Sequence, residues 1–115
     1  MAVRLTVERK VIPGTQGRVA ELLMELRSAA VLQPGFISGE TIVDVFNPTI
    51  IMTVSRWVSL LAWEEWERDP RRLEITNRLD AMLQSAPTAR LWRDDADIVP
   101  PALLEPAERP NRASA

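Results

Sequence analysis

Residues 36–59 read FISGETIVDVFNPTIIMTVSRWVS. Phe36 to Phe46, with Ile37, Ile42, Val43 and Val45 as its apolar members, reads as a strand. Asn47-Pro48 is a turn signal, since Asn bonds its own backbone and Pro cannot donate to a ladder. Thr49 to Trp57 is a further strand, nearly continuous in apolar content through Ile50, Ile51, Met52 and Val54. Two such strands across a short turn predict an antiparallel hairpin. A strand apolar on both parities predicts burial of both its faces.

On the N-terminal side, Ala2 to Ile12 alternates Val3, Leu5, Val7, Arg9 and Val11 with Arg4, Thr6, Glu8 and Lys10, the period of a strand. Pro13-Gly14 ends it. Thr15 to Leu32 reads as a helix with Val19, Leu22, Leu23, Leu26 and Ala30 on one stripe, and Thr15 as its N-cap. Pro34-Gly35 turns the chain into the hairpin. On the C-terminal side, Ser59 caps a helical stretch over Leu60 to Arg68. Asp69-Pro70 restarts the helix, which carries Ile75, Leu79, Met82 and Leu83 on one face up to Ser85, with a break at Pro70. Thr88 to Arg93 is a short last strand.

The order is that of an α+β ferredoxin-like β-α-β-β-α-β sandwich with an antiparallel sheet over residues 1–93. Its helices cover one face. The apolar content of the third strand calls for a second sheet on the other face, and a homodimer supplies it most simply. Residues 94–115 hold Pro100, Pro101, Pro106 and Pro110 and read as a tail, disordered at its end. Ile98, Val99, Leu103 and Leu104 are apolar enough to pack on the domain or on a partner subunit.

The 115 residues fit one domain, and their 46% hydrophobic content is that of a globular chain. With Cys 0 and His 0, thiolate nucleophiles, Cys zinc sites and Ser–His–Asp triads are excluded, and the commonest metal ligand is missing. Tyr 0 removes the phenol as an acid or radical relay. A net charge of −2 leaves no basic surplus for a nucleic-acid backbone. The apolar runs fall short of the ~20 residues of a membrane span, and the first residues lack a signal-peptide pattern. The chain reads as cytoplasmic, with no nucleic-acid or membrane partner. Gly14, Gly17, Gly35 and Gly39 form no nucleotide fingerprint.

The run Pro34-Gly35-Phe36-Ile37-Ser38-Gly39-Glu40, Asp44 with Asn47-Pro48, Ser55-Arg56-Trp57-Val58-Ser59, then Trp63, Trp66 and Arg71-Arg72 together resemble the antibiotic biosynthesis monooxygenase family. The resemblance spans Ala2 to Arg93. It implies a dimeric α/β barrel built from two ferredoxin-like sheets. The family's activities include cofactor-free oxidation of polycyclic aromatics, haem degradation and isomerisation of a small signalling sugar. Haem-degrading members use a His on the iron, and this chain has none. Cofactor-free members place Asn, Trp, Tyr and Arg around the substrate. Trp57 matches such a position, and Asn47 and Arg56 lie near it in sequence.

The candidate catalytic residues are therefore Trp57, Arg56 and Glu40, and the candidate substrate-binding residues Asn47, Trp63 and Trp66. Trp57 could wall a pocket and donate its indole N–H, or simply pack strand end against helix. Arg56 points away from Trp57 in a regular strand and could hold a phenolate or pair with a nearby carboxylate. Glu40 and Asp44 share a parity with Phe36, Ser38, Ile42 and Phe46; buried they could act as a base, exposed they are solvated charge. Trp63 and Trp66, at i and i+3, could line the same cavity or pack at the core edge. Glu64, Glu65 and Glu67 with Arg68, Arg71 and Arg72 read as a solvated, ion-paired face, without metal-site spacing. The function expected is cofactor-independent oxidation of an electron-rich aromatic or quinol-type metabolite by O₂, with no metal or other cofactor. The alternative is a non-catalytic dimer that binds a small hydrophobic or aromatic molecule.

Overall fold

A computed structural model of the chain describes residues 1–94. The expected tail lies, from residue 95 onward, outside the described residues. The elements are β1 (Ala2–Lys10), α1 (Gln16–Val31), β2 (Phe36–Val43), β3 (Ile50–Trp57), α2 (Leu60–Glu67), α3 (Pro70–Asp80) and β4 (Thr88–Asp94). They form a four-stranded sheet in the order β2-β3-β1-β4, antiparallel throughout. This is the expected ferredoxin-like α+β order.

Several ends differ from the expected ones, each for a local reason. β2 stops at Val43 because Asp44 Oδ1 accepts from the amides of Phe46 and Asn47, at 2.8 Å each, and closes the hairpin turn. α3 stops at Asp80, short of Ser85, because the chain beyond it pairs with the end of β1. Val11 bridges Leu83, and the Gln84 amide donates to the Lys10 carbonyl at 2.7 Å. Thr15 is the N-cap residue of α1, its carbonyl accepting from the Val19 amide at 2.9 Å, but its hydroxyl donates back to the Ile12 carbonyl at 2.6 Å and makes no side-chain cap. Ser59 and Asp69 do cap, accepting from the amides of Ala62 at 3.1 Å and Arg71 at 2.8 Å. Pro70 opens α3, which separates it from α2.

Register fixes which side chains meet the helices. Val3, Val7 and Arg9 of β1 lie opposite Trp57, Thr53 and Ile51 of β3 on the helix-covered face. Their neighbours Arg4, Thr6 and Glu8 lie opposite Arg56, Val54 and Met52 on the other face, which no helix of the described residues covers. The helix-covered side has two apolar clusters. One joins Val11, Val19, Leu22, Leu23, Ile51, Ile75 and Leu79; the other joins Val3, Ala30, Trp57, Ala62 and Trp66. Leu26 packs against both.

Gly35 sets the approach of α2. Its φ is +90°, and a Cβ there would lie 2.5 Å from the Ala62 methyl and 3.0 Å from Val58. Its carbonyl accepts from the Val58 amide at 2.8 Å, which ties the start of β2 to the end of β3. Backbone strain and overpacking both penalise a methyl at this point. Gly35→Ala is expected to lower stability by about 2–4 kcal/mol, read as a lower urea midpoint at unchanged slope.

Candidate functional site

Between the two apolar clusters the helix–sheet layer does not close. It encloses a cavity of about 80 Å³ bordered by members of both, among them Leu23, Ala30, Trp57 and Trp66. The cavity reaches the surface along the seam of α1 and β2, where the bordering residues Arg27 and Thr41 are exposed. Arg27 donates to the Gly39 carbonyl across that seam.

One end is aromatic. Trp57 is fully buried at the end of β3. Its ring meets Phe36 edge-on, with centroids 5.3 Å apart, and stacks on Trp66 at 5.9 Å. Its indole N–H donates to Ser55 Oγ at 3.1 Å, so this donor is already engaged. Trp66 reaches the cavity from α2, which the Ser59 cap starts at a fixed angle. Trp63 packs against the second cluster and does not border the cavity. Its indole nitrogen is buried without a hydrogen-bond partner among the described residues.

The other end is cationic. Arg9 occupies an apolar-parity position of β1 and is only 4% exposed. Its Nη1 donates to Thr53 Oγ1 at 3.1 Å, while its Nε is buried with no partner among the described residues. Arg72, in the first turn of α3, borders the same space. Its Nη1 donates to the Glu67 carbonyl, the last of α2, at 2.9 Å. Asp69 fixes that turn: hydrogen bonds from the Arg71 side chain hold its carboxyl below the ordinary carboxylate range. Burial depresses both guanidinium pKa values. The charge of Asp80 counters this at both, that of Glu67 at Arg72, and Arg72 itself adds to the depression at Arg9. No carboxylate lies within ion-pair distance of either among the described residues. Thr53, Ser55 and Thr76 add hydroxyls to the lining, and the exposed Arg27, Glu40 and Thr41 border it as well.

The structure brings Trp57, Trp66 and Glu40 to the border of this cavity and leaves Arg56, Asn47 and Trp63 outside its lining. Arg56 stands on the uncovered face, where its Nε and Nη2 donate to Asp94 Oδ2 at 2.9 and 2.5 Å. Glu40 pairs with Val54, so its strand parity is that of the same face; it is exposed, and it borders the cavity along β2. A bulge between Phe36 and Ser38 breaks the parity that would have put Phe36 and Glu40 on one side. Asn47 is a turn residue whose Oδ1 accepts from the amide and hydroxyl of Thr49 at 3.1 and 2.6 Å. It sits at the far end of β3, roughly 23 Å of extended strand from Trp57.

Arg9 and Arg72 were the residues that sequence reasoning passed over. Arg72 sat in a charge run read as solvated, yet it borders the cavity. For Arg9 a signal existed: a charge at a parity otherwise filled by Val3, Leu5, Val7 and Val11. Among the described residues, no group of three acidic side chains is placed to hold a metal ion, and no helix is long and apolar enough to cross a membrane.

The sequence profile of antibiotic biosynthesis monooxygenases matches residues 2–77, from β1 into α3. This chain belongs to that family. Among curated proteins none matches it in sequence. Solved structures share its fold at low identity. A conserved protein from Methanosarcina mazei superposes with a TM-score of 0.78 at 19% identity, covering 81% of this chain and 92% of that one. SnoaB, a cofactor-independent oxygenase from Streptomyces nogalater, gives 0.74 at 15% identity over 80% and 91%. A protein from Mycobacterium tuberculosis gives 0.75 at 15% identity over 84% and 100%.

In this family member a buried cation without a carboxylate partner is a standing cost to the fold. Arg9→Met keeps most of the side-chain volume and removes the charge. The ligand-free variant is expected to be more stable than the parent by about 1–3 kcal/mol in urea denaturation.

Proposed function

We propose that this chain is a cofactor-independent monooxygenase that oxidises a small electron-rich aromatic or quinol-type metabolite with O₂. The observation that carries the reading is one cavity with an aromatic wall at one end and guanidinium donors at the other. Membership of the monooxygenase family and the fold shared with a cofactor-independent oxygenase support it.

The roles follow from the lining. A planar ring lies along Trp57, Trp66 and Phe36. The hydroxyl or enolisable carbonyl of the substrate faces Arg9 and Arg72, whose charge favours the ionised form. Among the described residues Glu40 is the one acidic residue that borders the cavity, and its parity on β2 is that of the other sheet face, so the proton leaves to water and the cationic end holds the anion. The anion gives electrons to O₂, and a carbon–oxygen bond forms. An activated CH₂ then becomes C=O as one oxygen atom enters the substrate and the other leaves as water. The four electrons lost by carbon are the four gained by O₂. A cavity of about 80 Å³ is small beside the roughly 300–1,000 Å³ of drug-sized sites, which favours one- or two-ring substrates.

The proposed assembly is a cytoplasmic homodimer that covers the open sheet face. That face carries half-buried Met52 and Val54 with half-exposed Ile42 and Trp92, an apolar surface that a second copy would remove from water. Light scattering is expected to give twice the 13.0 kDa of one chain, and Met52→Lys to return the single-chain mass. A parent protein at the single-chain mass overturns the dimer.

Oxygen uptake tests the chemistry. The pure, metal-free protein is expected to consume O₂ above the uncatalysed rate with at least one hydroquinone, anthrone or naphthol. Trp57→Phe, which loses the bond to Ser55 and part of the stacking surface, is expected to lower that rate about tenfold. The parity of Glu40, the one acidic residue that borders the cavity among the described residues, is that of the other sheet face, and this favours a second reading, a binding protein for small aromatic molecules. Tight binding without uptake across the panel selects it.

A further inference from the structure

Three arginines, Arg9, Arg27 and Arg72, and one acidic residue, the exposed Glu40, border the cavity, and among the described residues no carboxylate lies within ion-pair distance of Arg9 or Arg72. Arg9 is more than nine-tenths buried, and its Nη1 is committed to Thr53. The edge of the guanidinium formed by Nε and Nη2 is the edge that takes a carboxylate side-on, and here Nε is orphaned. A buried polar donor without a partner costs free energy, and a charged one costs more. Neighbouring charges do not remove that cost. Asp80 acts at a distance beyond ion pairing, and Arg72 is of like sign. Arg72 is likewise anchored by one nitrogen, on the Glu67 carbonyl, and free of carboxylate contact among the described residues. Two guanidiniums on separate elements, each pinned at one nitrogen, border one space beside the Trp57–Trp66 stack.

We propose that the ligand of this cavity is a small planar organic acid, bound as its carboxylate anion to Arg9 and Arg72 with its ring against Trp57 and Trp66. The inference deepens the reading of the cavity as the substrate site, and rests on it. It adds that recognition is of a permanent anion and not only of a hydroxyl that ionises during reaction. Desolvation inside the layer makes the charge-assisted contact strong and weakly screened by salt.

Benzoate and benzamide test this, since they differ in charge and hardly in shape. Binding is followed by titration calorimetry and by the quenching of tryptophan fluorescence, with the full chain at neutral pH. The parent protein is expected to bind benzoate at least about tenfold more tightly than benzamide. Arg9→Met and Arg72→Met are each expected to bring the two affinities within about threefold, with benzamide binding retained. Arg9→Lys is expected to keep part of the preference, because the charge remains and the fork is lost. Two positions on different elements guard against one variant failing to fold. Equal affinities in the parent, a preference that survives both Met variants, or no binding of either compound overturns the inference. Uptake of O₂ with a neutral quinol but no benzoate preference overturns it while leaving the oxygenase reading in place. A benzoate preference with no uptake across the panel upholds it and removes the oxygenase.

Discussion

Arg9 sits in the run Val3, Leu5, Val7, Arg9, Val11, whose side chains all turn toward the helices. Burying a guanidinium at that point requires donors to be satisfied and helices to be held off, and both requirements shape what surrounds it. Thr53 on the neighbouring strand supplies an acceptor, and the first turn of α3 brings a second arginine instead of an apolar side chain. The core therefore divides into two apolar clusters with a polar space between them. The packing on either side offsets the cost of the charge.

The aromatic end depends on different constraints. Trp57 ends β3, and the chain must leave the sheet there and start α2 almost at once. Gly35 permits this by letting Ala62 and Val58 lie against the backbone that opens β2. The Ser59 cap then sets the helix so that Trp66 stacks on Trp57 and Phe36 closes on its edge. The wall of the cavity is thus made by a turn glycine and a helix cap as much as by the rings themselves.

Much of the fold was legible because its signals are local. The alternation in β1, the apolar stripe of α1, the Asn47-Pro48 turn and the Asp69-Pro70 restart each report a period or a backbone preference that neighbours in sequence enforce. Where the reading slipped, a longer-range bond had won. The end of α3 gave way to pairing of Leu83 and Gln84 with β1, and β2 was cut short by the Asp44 turn. The site was less legible. Trp57 and Trp66 stood out by type and position. Glu40 was grouped with Phe36 by a parity that a single bulge reverses.

The sequence by itself determined the order of elements, the family and the absence of His, Cys and Tyr from the chemistry, since these follow from composition, periodicity and motif. Only the tertiary structure decided which charges are inside. Arg56 and Arg9 are both strand arginines at parities otherwise filled by apolar residues, so that local signal does not separate them. One meets Asp94 across the open face of the sheet, the other meets Thr53 under the helices. The difference is made by strand register and by which side α1 and α3 cover, and those are set by contacts between residues far apart along the chain.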